Sequence, residues 1–321
     1  QFIMIREGTA ARNLEALVPL LCSKYVDRCM FCTDDKHPND LLEKGHIDYI
    51  VKKAISLGVD PIIAVKAACH TAARYFLLNN RGAIAPGYLA DFVVIDNFNV
   101  FKRGELMYDG QLRDFPTLEI DPYLVKRAHD TFHLTKLTAE DFKDGRPHAI
   151  IGLVPGEIIS EDAGYIDHID VEYDILKVAV IERHKNTHHI GLGYIRGYGL
   201  KSGAVATSIS HDSHNIIVVG TNEEEMAAAA NRIVENHGGI TVMENGNVLG
   251  EVTLAIAGIM SDDPLVMVNS ALESAKDEAF RLGVSRDIDP FMTLSFMALP
   301  VIPTLRITTR GVFDVNTQRY I

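Results

Sequence analysis

A chain of 321 residues, 47% hydrophobic and 23% charged, has the length of about two domains and a composition that excludes disorder as the default. Its formal net charge of −12 excludes a nucleic-acid backbone as partner, because neutralising phosphates takes clustered Lys and Arg. No run reaches the roughly 18 apolar residues of a membrane span, and no signal segment opens the chain.

Phe2 to Ile5 is an apolar run ending in Arg6-Glu7-Gly8-Thr9, after which Ala10 to Leu21 carries leucines and alanines at helical spacing. Arg28 to Thr33 is again strand-like, Asp34 to Asp40 reads as loop, and Leu41 to Leu57 reads as one helix with Leu41, Leu42, His46, Ile47, Ile50 and Ala54 on a face. Gly58 stops it, and Asp60-Pro61 supplies an N-cap and a first-turn proline for a helix over Pro61 to Phe76. Two strand-loop-helix units in succession predict a parallel sheet, since a parallel strand needs a crossover helix to return.

Cys22, Cys29, Cys32 and Cys69 all fall in the first quarter, a poor disulfide framework, so a reducing cytoplasm is expected. Cys29 and Cys32 form a CxxC, but their apolar setting reads as strand interior rather than a redox or zinc motif. The chain opens at Gln1, already inside strand-like sequence, and is expected to be part of a longer protein.

Asn79 to Asp96 changes character: Gly82, Pro86 and Gly87 punctuate a turn, and Ala90 to Ile95 is a short strand closing on Asp96. Val100 to Tyr108 offers further strand before the hairpin signal Asp109-Gly110. Pro116 to Thr131 is polar, carries two prolines and reads as a linker. Beyond it, strands are expected over Ala149–Val154, Asp174–Ile181, His188–Ile195, Ala204–Ser210 and Asn215–Val219. Asn222 to His237 begins with Glu223, Glu224 and Glu225, suits the positive helix N-terminus, and ends at Gly238-Gly239. A hairpin across Asn245-Gly246-Asn247 and a helix over Asp263 to Leu282 complete the reading. The fold class is thus α/β followed by α+β, with boundaries at 1–78, 79–115, 116–131 and 132–321.

Chemistry concentrates in two stretches. Phe31 to Asp40 is a strand end that delivers Asp34 and Asp35 into a loop, the place where α/β barrels carry their reacting groups. The same pattern fits a solvated turn or helix cap. Asp34 stands first after the strand and is the preferred reacting group; Asp35 is the competing assignment. Arg6 and Glu7 close the preceding strand, either as pocket contacts or as an ion pair, and His37 either orients a ligand or serves the loop. In the second stretch His211, Asp212 and His214 crowd between two apolar strands, as ligand contacts or as a polar turn. His184, His188 and His189 are assigned to hydrogen bonding, and Gly191-Leu192-Gly193 lacks the third glycine of a dinucleotide fingerprint.

MIREGTAARNL (4 to 14), FCTDDKHPNDLLEKGHID (31 to 48), RGAIAPGYLADFVVID (81 to 96) and SHDSHN (210 to 215) together resemble the microbial adenine deaminases of the amidohydrolase superfamily. The resemblance extends over essentially the whole chain and matches the C-terminal part of a family member. It implies the last strands and helices of a metal-dependent (β/α)8 barrel, a small β-sandwich return segment over 79–115, and a family-specific C-terminal α+β domain. It further implies hydrolysis of adenine to hypoxanthine and ammonia, in purine salvage or adenine catabolism, by water activated on manganese or iron, with zinc as a third candidate.

On this resemblance Asp34 matches the eighth-strand aspartate, a metal ligand and proton shuttle, while Arg6, Glu7, Asp35, His37, His211, Asp212 and His214 are candidate substrate contacts. The family's HxH pair is absent from this sequence, so the remaining metal ligands are expected outside the chain. The expected partners are a purine and either a second copy or the rest of the barrel. Another cyclic amidine or amide substrate in the same superfamily, and a non-catalytic binding or assembly module, are the competing readings.

Overall fold

Residues 1–9, 11–95, 105–108, 111–112 and 119–321 are described by the computed structural model, which divides into one unit over Gln1–Leu118 and another over Glu119–Ile321.

In the first unit β1 (Ile3–Arg6) and β2 (Cys29–Cys32) pair in parallel, with Arg6 opposite Cys32, so both strands end at the same edge. The connection between them contains α1 (Leu14–Leu21). This helix starts four residues later than the periodicity predicts, because the preceding segment folds back: Asn13 N–H donates to the Arg6 carbonyl at 3.0 Å, and Asn13 Oδ1 accepts from Arg6 N–H at 2.9 Å.

After β2 the single helix expected over 41–57 is two, α2 (Pro38–Glu43) and α3 (Ile47–Ser56). Gly45 sits between them at φ +103, where a β-carbon would lie 2.7 Å from the Asp48 carboxylate oxygens, and Asp48 accepts from His46 N–H instead. Glycine is the residue that tolerates this left-handed helix stop. His46 is therefore outside the helix whose face it was expected to share.

The next helix is also divided, at Cys69, into α4 (Pro61–Ala68) and α5 (His70–Tyr75). Its start is as expected: the Asp60 carboxylate accepts from Ile62 and Ile63 N–H. Ile5, Leu14, Phe31, Ile50, Val51, Ala54 and Ala64 pack into one core beneath the parallel pair. Cys29 belongs to that core, and all four cysteines are free.

Farther along, β3 (Phe92–Val94), β4 (Glu105–Tyr108) and β5 (Gln111–Leu112) form an antiparallel three-stranded sheet. The expected turn at Asp109-Gly110, the strand end at Asp96 and residues 116–118 of the expected linker lie outside the described residues. The rest of that linker is not structureless: α6 (Pro122–His129) occupies it, capped by the Asp121 carboxylate on Tyr123 N–H. An Asp-Pro start was the overlooked signal, the same one that marks α4.

The second unit is organised on a mixed eight-stranded sheet among the described residues, in the order β13-β12-β10-β11-β8-β9-β6-β7. Its strands are β6 (His148–Leu153), β7 (Ser160–Ile166), β8 (Ile175–Ile181), β9 (Ile190–Arg196), β10 (Ala204–Thr207), β11 (Ile216–Gly220), β12 (Gly239–Glu244) and β13 (Asn247–Thr253). All its neighbours are antiparallel except β6 and β9.

The central strands read as unbroken apolar runs because both faces are covered. On β8, Leu176, Val178 and Val180 join one core with residues of α8 (Leu265–Arg281) and α9 (Pro290–Met297), whereas Ala179 and Ile181 join the other with residues of α7 (Glu223–Glu235). Period-two alternation thus partitions each strand between two layers. A last antiparallel set, β14 (Leu305–Thr308), β15 (Gly311–Asp314) and β16 (Arg319–Tyr320), adds Leu305, Ile307 and Val312 to the first core. No helix among the described residues is long and apolar enough to cross a membrane.

Candidate functional site

Parallel pairing puts the segments that leave β1 and β2 side by side. Glu7 N–H donates to the Cys32 carbonyl at 3.2 Å and Thr9 N–H to the Asp35 carbonyl at 3.0 Å. The Asp35 carboxylate accepts from Ala11 N–H at 3.0 Å, and Gly8 passes so close that a β-carbon there would lie 1.9 Å from Asp35 Oδ1. Thr9 Oγ1 accepts from His37 N–H and donates to Asp40 Oδ2 at 2.6 Å. One strand-end loop therefore folds the other, and Asp35 and Thr9 are the joints.

Asp34 stands apart from this lattice. Its backbone is left-handed, φ 57, and its carboxylate meets Arg6 Nη1 at 3.2 Å through Oδ1 while Oδ2 accepts Asp35 N–H. An aspartate tolerates that backbone region better than bulkier residues do. Both partners of the Arg6–Asp34 pair are solvent-accessible, 42% and 36% exposed. Glu7 is the opposite case: it is buried and held by Lys53 Nζ at 2.7 Å, which also reaches Glu15 at 3.1 Å. Burial pulls the Lys53 ammonium down, but the hydrogen bonds from it to Glu7 and Glu15 prevail and raise it above the usual lysine range.

The structure thus brings Arg6 to Asp34, places Asp35 in the loop lattice, gives Glu7 to Lys53, and buries His37 with its N–H on Thr9. Thr9, Asp40 and Lys53 were not singled out from the sequence. Asp40 is driven up by burial and brought down further by hydrogen bonds from Lys44 and Thr9, so it is held below the usual aspartate range.

In the second unit, residues 208–215 join β10 to β11. The His211 N–H donates to the Ser295 carbonyl, and its ring stacks on Phe296 at 5.6 Å between centroids. His211 Nδ1 lies 2.7 Å from Asp212 Oδ1, out of line for a hydrogen bond, and Asp212 itself is exposed. His214 is left-handed at φ 49, donates its N–H to the Ser210 carbonyl, and among the described residues its buried Nδ1 has no hydrogen-bond partner. Desolvation first, then the charge of Arg183 and the nearby His211, lowers the His214 imidazole below the ordinary histidine range.

A catalytic metal generally takes several protein donors. Among the described residues no group of three or more His, Cys, Asp or Glu side chains is placed to hold one. Asp34 offers a single carboxylate, already shared between Arg6 and Asp35 N–H. By themselves these residues do not fit a metal.

The adenine deaminase C-terminal domain family matches residues 157–319, and the amidohydrolase family matches residues 4–120. Among curated relatives, a protein named adenine deaminase from Petrotoga mobilis is 41% identical over 100% of this chain and 58% of its own length. Proteins of the same name from Bacillus licheniformis, 40% identical, and Brucella melitensis biotype 1, 38% identical, are also matched over 100% of this chain. The chain covers 58% of the first and 57% of the second. It spans just under three fifths of the length of these relatives.

Proposed function

Since this chain belongs to the adenine deaminase C-terminal domain family, we propose that it takes part in the hydrolytic deamination of adenine to hypoxanthine and ammonia. The observation that carries the reading is Asp34: a carboxylate just past the C-terminal end of a parallel strand, in a left-handed bend, solvent-accessible and ion-paired with Arg6 of the neighbouring strand. Active-site groups of α/β barrels stand at such strand ends. In this reading β1 with α1 and β2 with α3 are the last strand-helix units of an amidohydrolase barrel, the β3-β4-β5 sheet is its β-sandwich return, and 132–321 is the family-specific domain.

Deamination at C6 requires one proton of the attacking water to reach the ring nitrogen and the second to reach the amine, which leaves as ammonia while the oxygen stays as the C6 carbonyl. Asp34 is the group proposed to shuttle these protons, with Arg6 holding the carboxylate until substrate arrives. Glu7, Asp35 and His37 in the first unit, and His211, Asp212 and His214 in the second, are proposed purine contacts, each argued within its own unit. The reading includes a divalent metal, manganese or iron before zinc, whose donors other than Asp34 come from outside the described residues. It also includes work in the cytoplasm, and association with a second copy or with further barrel sequence.

Replacing Asp34 by Asn tests the proposal in a protein of the relatives' full length, followed by the ultraviolet change as adenine becomes hypoxanthine. Removing a general acid–base group lowers turnover by about 10²–10⁴-fold, and that fall in kcat is expected. A near-normal rate would remove Asp34 from the mechanism.

A further inference from the structure

Arg183 follows β8 by two residues and is 2% exposed, and its guanidinium hydrogen-bonds to carbonyls and a hydroxyl, with no carboxylate among these acceptors in the described residues. Its Nε donates to the His214 carbonyl at 2.5 Å, Nη1 to both the carbonyl and hydroxyl of Thr131, and Nη2 to the Ala257 carbonyl at 2.8 Å. The guanidinium lies 4.2 Å from the Phe132 ring, and Gly258, at φ +77, comes so near that a β-carbon would lie 2.8 Å from Nη2. Its backbone N–H faces Asn215 Oδ1 at 3.4 Å.

A buried guanidinium that no carboxylate hydrogen-bonds, its charge supported at a distance by the adjacent Glu182, is a poor way to stabilise a core, and a well-packed apolar side chain would do better. What a guanidinium supplies that Met or Leu cannot is a rigid fork of donors. Here the fork ties three separate segments, 131–132, 214 and 257, and one of its tines ends on the carbonyl of a left-handed histidine.

We propose that Arg183 is a positioning residue, fixing the bend at His214 and thereby the direction in which the His214 imidazole is offered to a ligand. The proposal rests on the reading of the 210–215 turn as a purine contact. The groups that face His214 are Arg183, His211, Asp212 and His184. Burial and the three cationic or cationisable neighbours Arg183, His211 and His184 oppose protonation, while Asp212 favours it. Arg183 itself, drawn down by burial to about 10, remains charged at neutral pH. The held imidazole is therefore neutral there, able to donate through one nitrogen and accept through the other, which matches the mixed donor and acceptor edge of an uncharged purine.

The test is nuclear magnetic resonance on the whole chain, following the His214 ring proton from pH 8 to pH 5 and the backbone amides, for Arg183→Met and Arg183→Lys beside the parent. Arg183→Met is expected to shift the His214 midpoint upward and to move amides confined to 131–132, 210–215 and 257–258. Arg183→Lys keeps the charge but not the fork, so those amides move while the midpoint stays near the parent's.

An unchanged His214 in Arg183→Met, or amide changes spread across β8 to β11, would overturn the positioning role. If Arg183→Met does not fold, Thr131→Val removes one acceptor of the fork, and a silent His214 in that variant overturns the proposal equally. Adenine added to the parent chain separates the two ideas. A His214 response lost in both Arg183 variants is expected; no response in the parent, with the variant shifts intact, rejects the purine contact and leaves the positioning role standing.

Discussion

At the end of β2, Asp34 meets Arg6 across 3.2 Å with both side chains more than a third exposed, and each has water as an alternative partner. At the end of β8, Arg183 is buried and its guanidinium meets carbonyls, a hydroxyl and a ring, with Glu182 supporting its charge without a hydrogen bond to it. The first arrangement contributes little to stability, in the range of about 0–1 kcal/mol for an exposed pair, and can open without disturbing its surroundings. The second cannot rearrange without leaving several buried groups unpaired. The contrast separates a carboxylate that is free to exchange partners from a turn whose geometry is fixed in advance.

The comparison is sharpened most strongly one residue from Arg6, where Glu7 is as buried as Arg183 but is hydrogen-bonded to its counterion. Lys53→Met leaves that carboxylate buried and unpaired, and removing one partner of a buried pair costs about 3–5 kcal/mol. The lower end is expected because Lys53 is 22% exposed. Urea unfolding measures it, and the double variant Glu7→Leu with Lys53→Met should recover most of the loss. A single variant within experimental error of the parent would show that Glu7 does not depend on Lys53.

A smaller effect is expected at Asp35. Asp35→Ala deprives the half-buried Ala11 N–H of its acceptor, and the loss is expected at the lower end of the about 1–3 kcal/mol that an unsatisfied buried donor costs. Faster amide exchange at Ala11, with exchange in β2 unchanged, is the signature of a loop joint. Uniformly faster exchange across the unit would instead make Asp35 a support of the core, and the distinction drawn between it and Asp34 would fail.

How much of this was legible in the sequence follows from the range of the interactions. The strand-helix units, the Asp60 cap and the hairpin at Asn245 rest on signals a few residues apart, and local pattern shows them. Helix α1 was read four residues too long because its first turn is spent on Arg6, a contact that periodicity does not contain. The break at Gly45 was visible only as a glycine, and only the Asp48 side chain explains why the chain turns there.

Within the candidate site, Asp34 and Arg6 could be named from their places after two strands, but their pairing depends on the register of Arg6 with Cys32. Thr9 and Lys53 carry no motif; they matter through partners 31 and 46 residues away. Arg183 carries no signal in the sequence, since an arginine after an apolar strand reads as a surface residue until its burial is known.

The smallest expected effect is the one most able to break the comparison. Arg6→Met removes the exposed pair with Asp34, and it also removes Arg6 Nε, a buried donor without a hydrogen-bond partner among the described residues. The two changes have opposite signs, so the net loss of stability should stay below about 1 kcal/mol. Raising the salt concentration should bring the parent toward the variant, because screening weakens an exposed pair far more than a buried one. Urea midpoints for both proteins at low and at about 1 M salt, where the screening length is about 3 Å, give the measurement. A loss of about 2 kcal/mol or more, insensitive to salt, would place Arg6 with Arg183 among the fixed cations rather than the exchangeable ones, and Asp34 would then have no freedom to leave it for a substrate.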